Sequence, residues 1–228
     1  MNNKFLKAGI LIAILVIPAF VFIFLNTFGS NKFDLPYLIP ELNESGQVKI
    51  MDGDTVFHQI DSVVLFNDQN KVVNITADTT QIKIVNFFFS RCGTICPVIN
   101  TNMARLADNF KEYGDVAFYS ITVDPAYDRD SVLTIYKKSF GDGLKNWELL
   151  TGDKDYIYQK AIGEFKLPVS DAFEYDKEIK NVDELFIHSE KVLMLDSKNY
   201  VRGMYDGTNK DDIERLKAEI KVLSKTLE

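Results

Sequence analysis

Two cysteines and two histidines in 228 residues are too few for a disulfide-built scaffold. Basic residues are also short. Lysine and arginine total 26 against 33 acidic residues, a net charge of −7, and they are nowhere concentrated, which excludes a nucleic-acid footprint. No internal repeat is visible, so solenoid and propeller architectures drop out. What remains is a hydrophobic content of 46%, enough for one sizeable core. A single globular domain is expected once the N-terminus is set aside.

Both cysteines fall in the stretch Ile82 to Phe110, IKIVNFFFSRCGTICPVINTNMARLADNF. Ile84 to Phe89 is apolar except for Asn86, the pattern of a central strand buried on both faces. The period then changes. Ile99, Met103, Leu106 and Phe110 recur as one face of a helix, so Cys92 and Cys96 lie in a strand-to-helix turn, with Pro97 suited to the first helical turn. Such a turn offers unpaired N–H groups and the positive end of a helix dipole, both of which favour a thiolate. Four residues apart on a helix, the two Cβ atoms would be roughly 5–6 Å apart, whereas a relaxed disulfide wants about 3.5–4.5 Å. The pair therefore suits a shared metal, or a disulfide that opens and closes, better than an inert cross-link.

Lys4 and Lys7 precede an almost wholly apolar run from Ala8 to Leu25. Its eighteen residues would span about 27 Å as a helix, near the hydrocarbon thickness of a bilayer. The apolar core of a cleaved signal peptide is usually about 7–15 residues, so a retained membrane anchor is expected over residues 1–30. With its lysines before the span, the anchor places a short N-terminus in the cytoplasm and the domain on the other side of the inner (cytoplasmic) membrane, as a single-pass protein. No cysteine lies near this segment, which removes a lipid anchor. Residues 31–45, with Pro36 and Pro40, read as a tether, and residues 46–228 as the domain.

Along that domain, turn signals at Asp52-Gly53 and at Asn67 to Asn70 predict N-terminal β-hairpins. His58 falls among them and is expected to be a packing or surface residue. Val116 to Val123 predicts a second buried strand. Either Asp128 or Asp130 is expected to cap the next helix, whose apolar face is Val132, Ile135, Tyr136 and Phe140. Trp147 to Leu150 predicts a strand, Asp153 the start of a helix, and Leu167 to Glu184 an acidic loop. Strands at Lys191 to Asp196 and Tyr200 to Tyr205 follow. The final helix has Ile213, Leu216, Ile220 and Leu223 on its apolar face and Thr208 with Asp211 as a capping pair. This order predicts an α/β, thioredoxin-like fold: a central mixed sheet flanked by helices, with the cysteines at the carboxyl end of the first core strand and the loop bearing His188 opposite them.

Three motifs occur in order: Cys92-Gly-Thr-Ile-Cys96-Pro97 after a hydrophobic strand, Ile121-Thr-Val-Asp124-Pro125 with Asp128 beyond it, and His188-Ser189 shortly before Val192-Leu-Met-Leu-Asp196. Together they resemble the Sco/SenC family, membrane-anchored copper proteins that help assemble the copper site of cytochrome c oxidase subunit II. The likeness covers roughly Ser62 to Tyr205, plus the anchor. It implies that Cys92, Cys96 and His188 are copper ligands, that the protein acts as a metallochaperone rather than an enzyme, and that its partner is subunit II or a similar copper-receiving protein. Two thiolates and one imidazole suit copper and leave room for a partner's ligand to enter. Structural zinc normally takes four protein ligands, and this sequence offers no further cysteine and one other histidine. The competing reading is a thiol–disulfide oxidoreductase in which Cys92 and Cys96 form a redox-active pair that reduces an exported partner. Against it, thioredoxin-type reductants usually use C-x-x-C, and no proline lies in the facing loop, His188 to Lys191.

Overall fold

The computed structural model describes residues 3–28, 34–172 and 186–227. It divides into two compact units, Met1–Phe33 and Asp34–Glu228. The first contains helix α1 (Asn3–Phe28), which carries Pro18. Its large apolar side chains, from Ile10 to Phe24, are exposed. Among the described residues no helix is long and apolar enough to cross a membrane.

The second unit is an α/β fold around a mixed sheet. It opens on a small hairpin of β1 (Ile50–Met51) and β2 (Asp54–Thr55). The turn between them places Asp52 and Gly53 at positive φ, 55° and 92°, which is why an Asp-Gly pair sits there. β3 (Val64–Asn67) and β4 (Val72–Asn74) form a second hairpin, with Asn70 at positive φ. β5 (Ile82–Phe88) is buried at every position, as expected of its mainly apolar sequence, and Lys83 and Asn86 are buried with the rest. Helix α2 (Ile95–Asn109) crosses to β6 (Val116–Thr122), and α3 (Asp130–Lys138) to β7 (Trp147–Thr151). β5 pairs parallel with β6, and β6 with β7. After α4 (Lys154–Gly163) come a two-stranded sheet of β8 (Val169–Asp171) and β9 (Phe186–His188), the hairpin of β10 (Lys191–Leu195) and β11 (Val201–Asp206), and α5 (Lys210–Leu227). The seven-stranded sheet runs β11-β10-β5-β6-β7-β3-β4, with β10 and β3 antiparallel to the parallel trio.

Both faces of β5 are covered, because successive side chains point oppositely. Phe88 stacks on Tyr136 of α3 and Asn86 meets Asn100 of α2, while Phe87 meets Phe165 beyond α4. The expected helix faces of α2 and α5 are the buried ones: Ile99, Met103, Leu106 and Phe110, and Ile213, Leu216, Ile220 and Leu223. His58 packs as expected, its Nδ1 3.0 Å from Glu41 and its Nε2 3.0 Å from the Glu164 carbonyl.

Four local expectations are corrected. α3 buries Leu133, with Tyr136 and Phe140 partly buried against the core, while Ile135 is 73% exposed; Leu133, Tyr136 and Phe140 are spaced i, i+3, i+7 and so share one helix face. The residue before α3 is Arg129, whose side chain makes no capping bond. Asp128 is fully buried and Asp130 is the first helical residue, so neither caps it. α5 is capped by Asn209, whose Oδ1 accepts from the N–H groups of Asp211 and Asp212, in place of Thr208 with Asp211. The acidic loop expected from Leu167 begins instead as β8, paired with β9; residues 173–185 lie outside the described residues.

Residues read from sequence as part of a tether lie along the sheet edge from Asp34 onward. The Leu38 N–H donates to the Val201 carbonyl. Buried Arg202 donates to Asp196 (3.1 Å), Asp34 and the carbonyls of Leu35 and Pro36, and its guanidinium lies 4.2 Å from the Tyr37 ring centroid.

Candidate metal centre

The parallel arrangement of β5 and β6 brings two strand ends together, and the turn after β5 holds both cysteines. Cys92 lies in the turn and Cys96 is the second residue of α2. Both are buried, and they are not joined in a disulfide. The Cys96 N–H donates to Cys92 Sγ at 3.4 Å, and Thr94 Oγ1 lies 3.6 Å from the same sulfur. A helix-terminal N–H aimed at Cys92 Sγ favours its thiolate form. The neighbouring sulfur and burial push the Cys96 thiol well above the ordinary cysteine range, with the Phe89 backbone opposing them. Two adjacent thiolates would need a compensating positive charge, because like charges side by side oppose each other's ionisation.

The turn is held from behind. Ser90 donates from its N–H (3.0 Å) and its hydroxyl to the buried carboxylate of Asp128, which also accepts from the Thr122 hydroxyl at the end of β6. Arg91 donates to Asp124 at 2.7 and 3.2 Å and lies over the Tyr127 ring, 4.4 Å from its centroid. Burial holds the Asp128 carboxyl above the usual carboxylate range, the Ser90 and Thr122 donors only partly opposing it. Below the turn, buried Asn86, Asn100 and Ser120 bond one another, the Trp147 indole N–H donates to Ser120 at 2.9 Å, and Asn100 donates to the Tyr136 hydroxyl at 3.1 Å. Sequence reasoning missed this network and the role of Asp128. Asn86, a polar residue within the apolar run Ile84 to Phe89, was the available signal.

His188 is the last residue of β9, and its backbone pairs with Val169 of β8. Its ring lies outside the described residues, and among the described residues no group of three or more histidine, cysteine, aspartate or glutamate side chains could hold a metal ion. The strand bearing it is nonetheless local to the turn. Phe186, two residues before His188, packs on Phe89, three residues before Cys92, with ring centroids 5.1 Å apart.

A family model described as SCO1/SenC matches residues 54–225. The chain is 25% identical over 173 residues to a protein of Bacillus subtilis (strain 168) described as a SCO1 protein homolog, covering 75% of this chain and 86% of that one. Its fold is similar to the crystal structure of a SCO1/SenC family lipoprotein from Bacillus anthracis str. Ames, with a TM-score of 0.64 and 25% identity over 73% of this chain and 95% of that one. It is also similar in fold to Arabidopsis thaliana ScoI, solved with copper bound, with a TM-score of 0.59 and 22% identity over 73% and 98% of the two chains.

Proposed function

The chain belongs to the SCO1/SenC family, and from that premise we propose that it is a membrane-anchored copper metallochaperone whose ligands are Cys92, Cys96 and His188. The observation that carries this reading is the pair of buried, neighbouring cysteines, not joined in a disulfide, at the start of α2 and beside the strand that bears His188. Two sulfurs and an imidazole nitrogen match the softness of copper better than that of zinc, which in a closed site would want a fourth protein ligand. Copper in an Arabidopsis relative of the same fold supports the choice of metal. A three-ligand site leaves one approach free, so a recipient's own ligand can enter before Cys92, Cys96 and His188 let go. The recipient that the family resemblance implies is cytochrome c oxidase subunit II or a similar copper-receiving protein.

The apolar helix α1 would supply the anchor, with the domain on the non-cytoplasmic side of the inner membrane. The Bacillus anthracis relative is a lipoprotein. In this chain both cysteines lie in the metal turn, so the helix takes the place of a lipid. If α1 spans, a carbonate wash leaves the protein in the membrane fraction; release of a chain beginning near Ser30 would show a cleaved signal instead.

The second reading, a thiol–disulfide oxidoreductase, is favoured by one observation: the Cys96 N–H aimed at Cys92 Sγ, which suits a nucleophilic thiolate. Metal analysis of the reduced protein after exposure to copper and zinc separates the two. The chaperone reading expects about one copper per chain kept against a competing chelator. No retained copper together with rapid disulfide exchange would establish the oxidoreductase in its place.

A further inference from the structure

Asp128 is fully buried, and the groups that donate to its carboxylate are a backbone N–H and two hydroxyls. Two of the three come from Ser90, two residues before Cys92. The third comes from Thr122, the last residue of β6, so one carboxylate ties the end of β6 to the backbone that leads into the metal turn. The Asp128 N–H donates to the Asp124 carbonyl at 2.9 Å, closing the turn from Asp124 to Asp128. The side chain of Asp124 in turn holds Arg91. Both residues that precede Cys92 are therefore gripped by a single turn between β6 and α3. The Cys92 N–H itself donates to the Phe89 carbonyl at 3.3 Å, so little of the backbone from Phe89 to Cys92 is left to adjust. Burying a carboxylate is costly unless it is fully hydrogen-bonded, and a turn needed only for stability could be closed by apolar packing instead.

We propose that Asp128 is a positioning residue for metal capture: acting through Ser90, it fixes Cys92 Sγ beside Cys96 before copper arrives. This inference rests on the copper reading above. The partners of a metal's ligands, when removed, typically cost about 10- to 100-fold in affinity by letting the ligands reorient. The hydrogen-bond pattern also admits a neutral replacement. In Asp128→Asn the amide oxygen can take the place of Oδ2, accepting from the Ser90 N–H and the Thr122 hydroxyl, while the amide nitrogen takes the place of Oδ1 and donates to Ser90 Oγ. No such replacement exists in Asp128→Ala.

The test titrates the reduced full-length protein with copper, following sulfur-to-copper absorption, in wild type, Asp128→Ala and Asp128→Asn. Positioning predicts that Asp128→Ala binds on the order of 10-fold more weakly or worse, with a shifted absorption band, and that Asp128→Asn recovers wild-type affinity and band position. Asp128→Ala with wild-type affinity and spectrum, or Asp128→Asn as defective as Asp128→Ala, would overturn it. If Asp128→Ala does not fold, Ser90→Ala takes its place. It removes one hydroxyl donor and is expected to weaken binding and move the band, and an unchanged band and affinity would refute the proposal. A metal-free readout keeps this separate from the copper reading. The reduction potential of the Cys92–Cys96 disulfide should shift in Asp128→Ala and return in Asp128→Asn. Failure of the wild type to bind copper would sink the copper reading, whereas an unmoved potential would sink the positioning role.

Discussion

The two ends of the same central strands hold buried charge in two different ways. At the amino end of β5, Lys83 is fully buried and donates to Asn199 Oδ1 at 2.8 Å, and the neighbouring Arg202 and Asp196 form an ion pair with both side chains under 5% exposed. That end also receives the chain from Asp34 to Leu38 through Arg202 and Val201. At the carboxyl end, about 20 Å away along seven residues at about 3.3 Å each, buried Asp128 is met by neutral donors, partly exposed Arg91 pairs with Asp124, and the two cysteines are not joined in a disulfide. The contrast separates two tasks. Opposite charges that satisfy each other close a structure, while in the proposed copper reading the thiols beside a carboxylate held by neutral donors would receive a cation from outside.

The sharpest way to break the contrast is at the sulfurs. Cys92→Ser or Cys96→Ser should abolish stoichiometric copper binding, and oxidising the pair to a disulfide should do the same, because the bond consumes the thiolates. Either single variant keeping full copper affinity would refute a shared site. Next in size is the opposite end. Arg202→Met strands the buried Asp196 carboxylate, which should cost about 3–5 kcal/mol in chemical denaturation while copper affinity stays at the wild-type value. Lys83 gives a smaller, pH-dependent effect. Burial holds its pKa below the ordinary 10.5, the nearby Asp78 and Asp196 charges only partly opposing this. Between the lowered folded value and 10.5 the unfolded chain binds the extra proton, so wild-type stability should rise with pH in that window relative to Lys83→Met. Parallel stability curves for the two proteins across the alkaline range would contradict this. Smallest is Asp153→Ala, which removes the cap bond to the Tyr156 N–H and should cost about 1 kcal/mol, measured as a shift in the unfolding midpoint, with copper binding untouched.

Much of this was legible in the sequence where period and turn chemistry are strong. The mainly apolar run of β5, the 3.6-residue face of α2 and the Asp52-Gly53 hairpin each carry a local signal, and all three form as expected. The cysteine turn was legible for the same reason, since Cys92 and Cys96 sit where the period changes. Asp128 was not. An aspartate shortly before a helix reads as a cap, and only the parallel pairing of β5 with β6 brings it under Ser90, 38 residues away in sequence. The grip of Arg202 on Asp34 spans 168 residues and had no local trace. The face of α3 was misread by one residue: Leu133, Tyr136 and Phe140 share the helical period that faces the core, and Ile135 lies off it.

The central claim is that the two sulfurs act with His188, and one titration tests it. Reduced wild type and His188→Ala are each titrated with Cu(II) while sulfur-to-copper charge-transfer absorption is recorded. Neutral imidazole is a good ligand for Cu(II), and two sulfurs without it serve Cu(II) poorly though they can still hold Cu(I). The account predicts one intense transition saturating near one copper per chain in the wild type, and its loss in a His188→Ala protein that still folds and keeps its thiol reactivity. An unchanged spectrum and affinity in His188→Ala would leave that histidine outside the metal site and contradict the account.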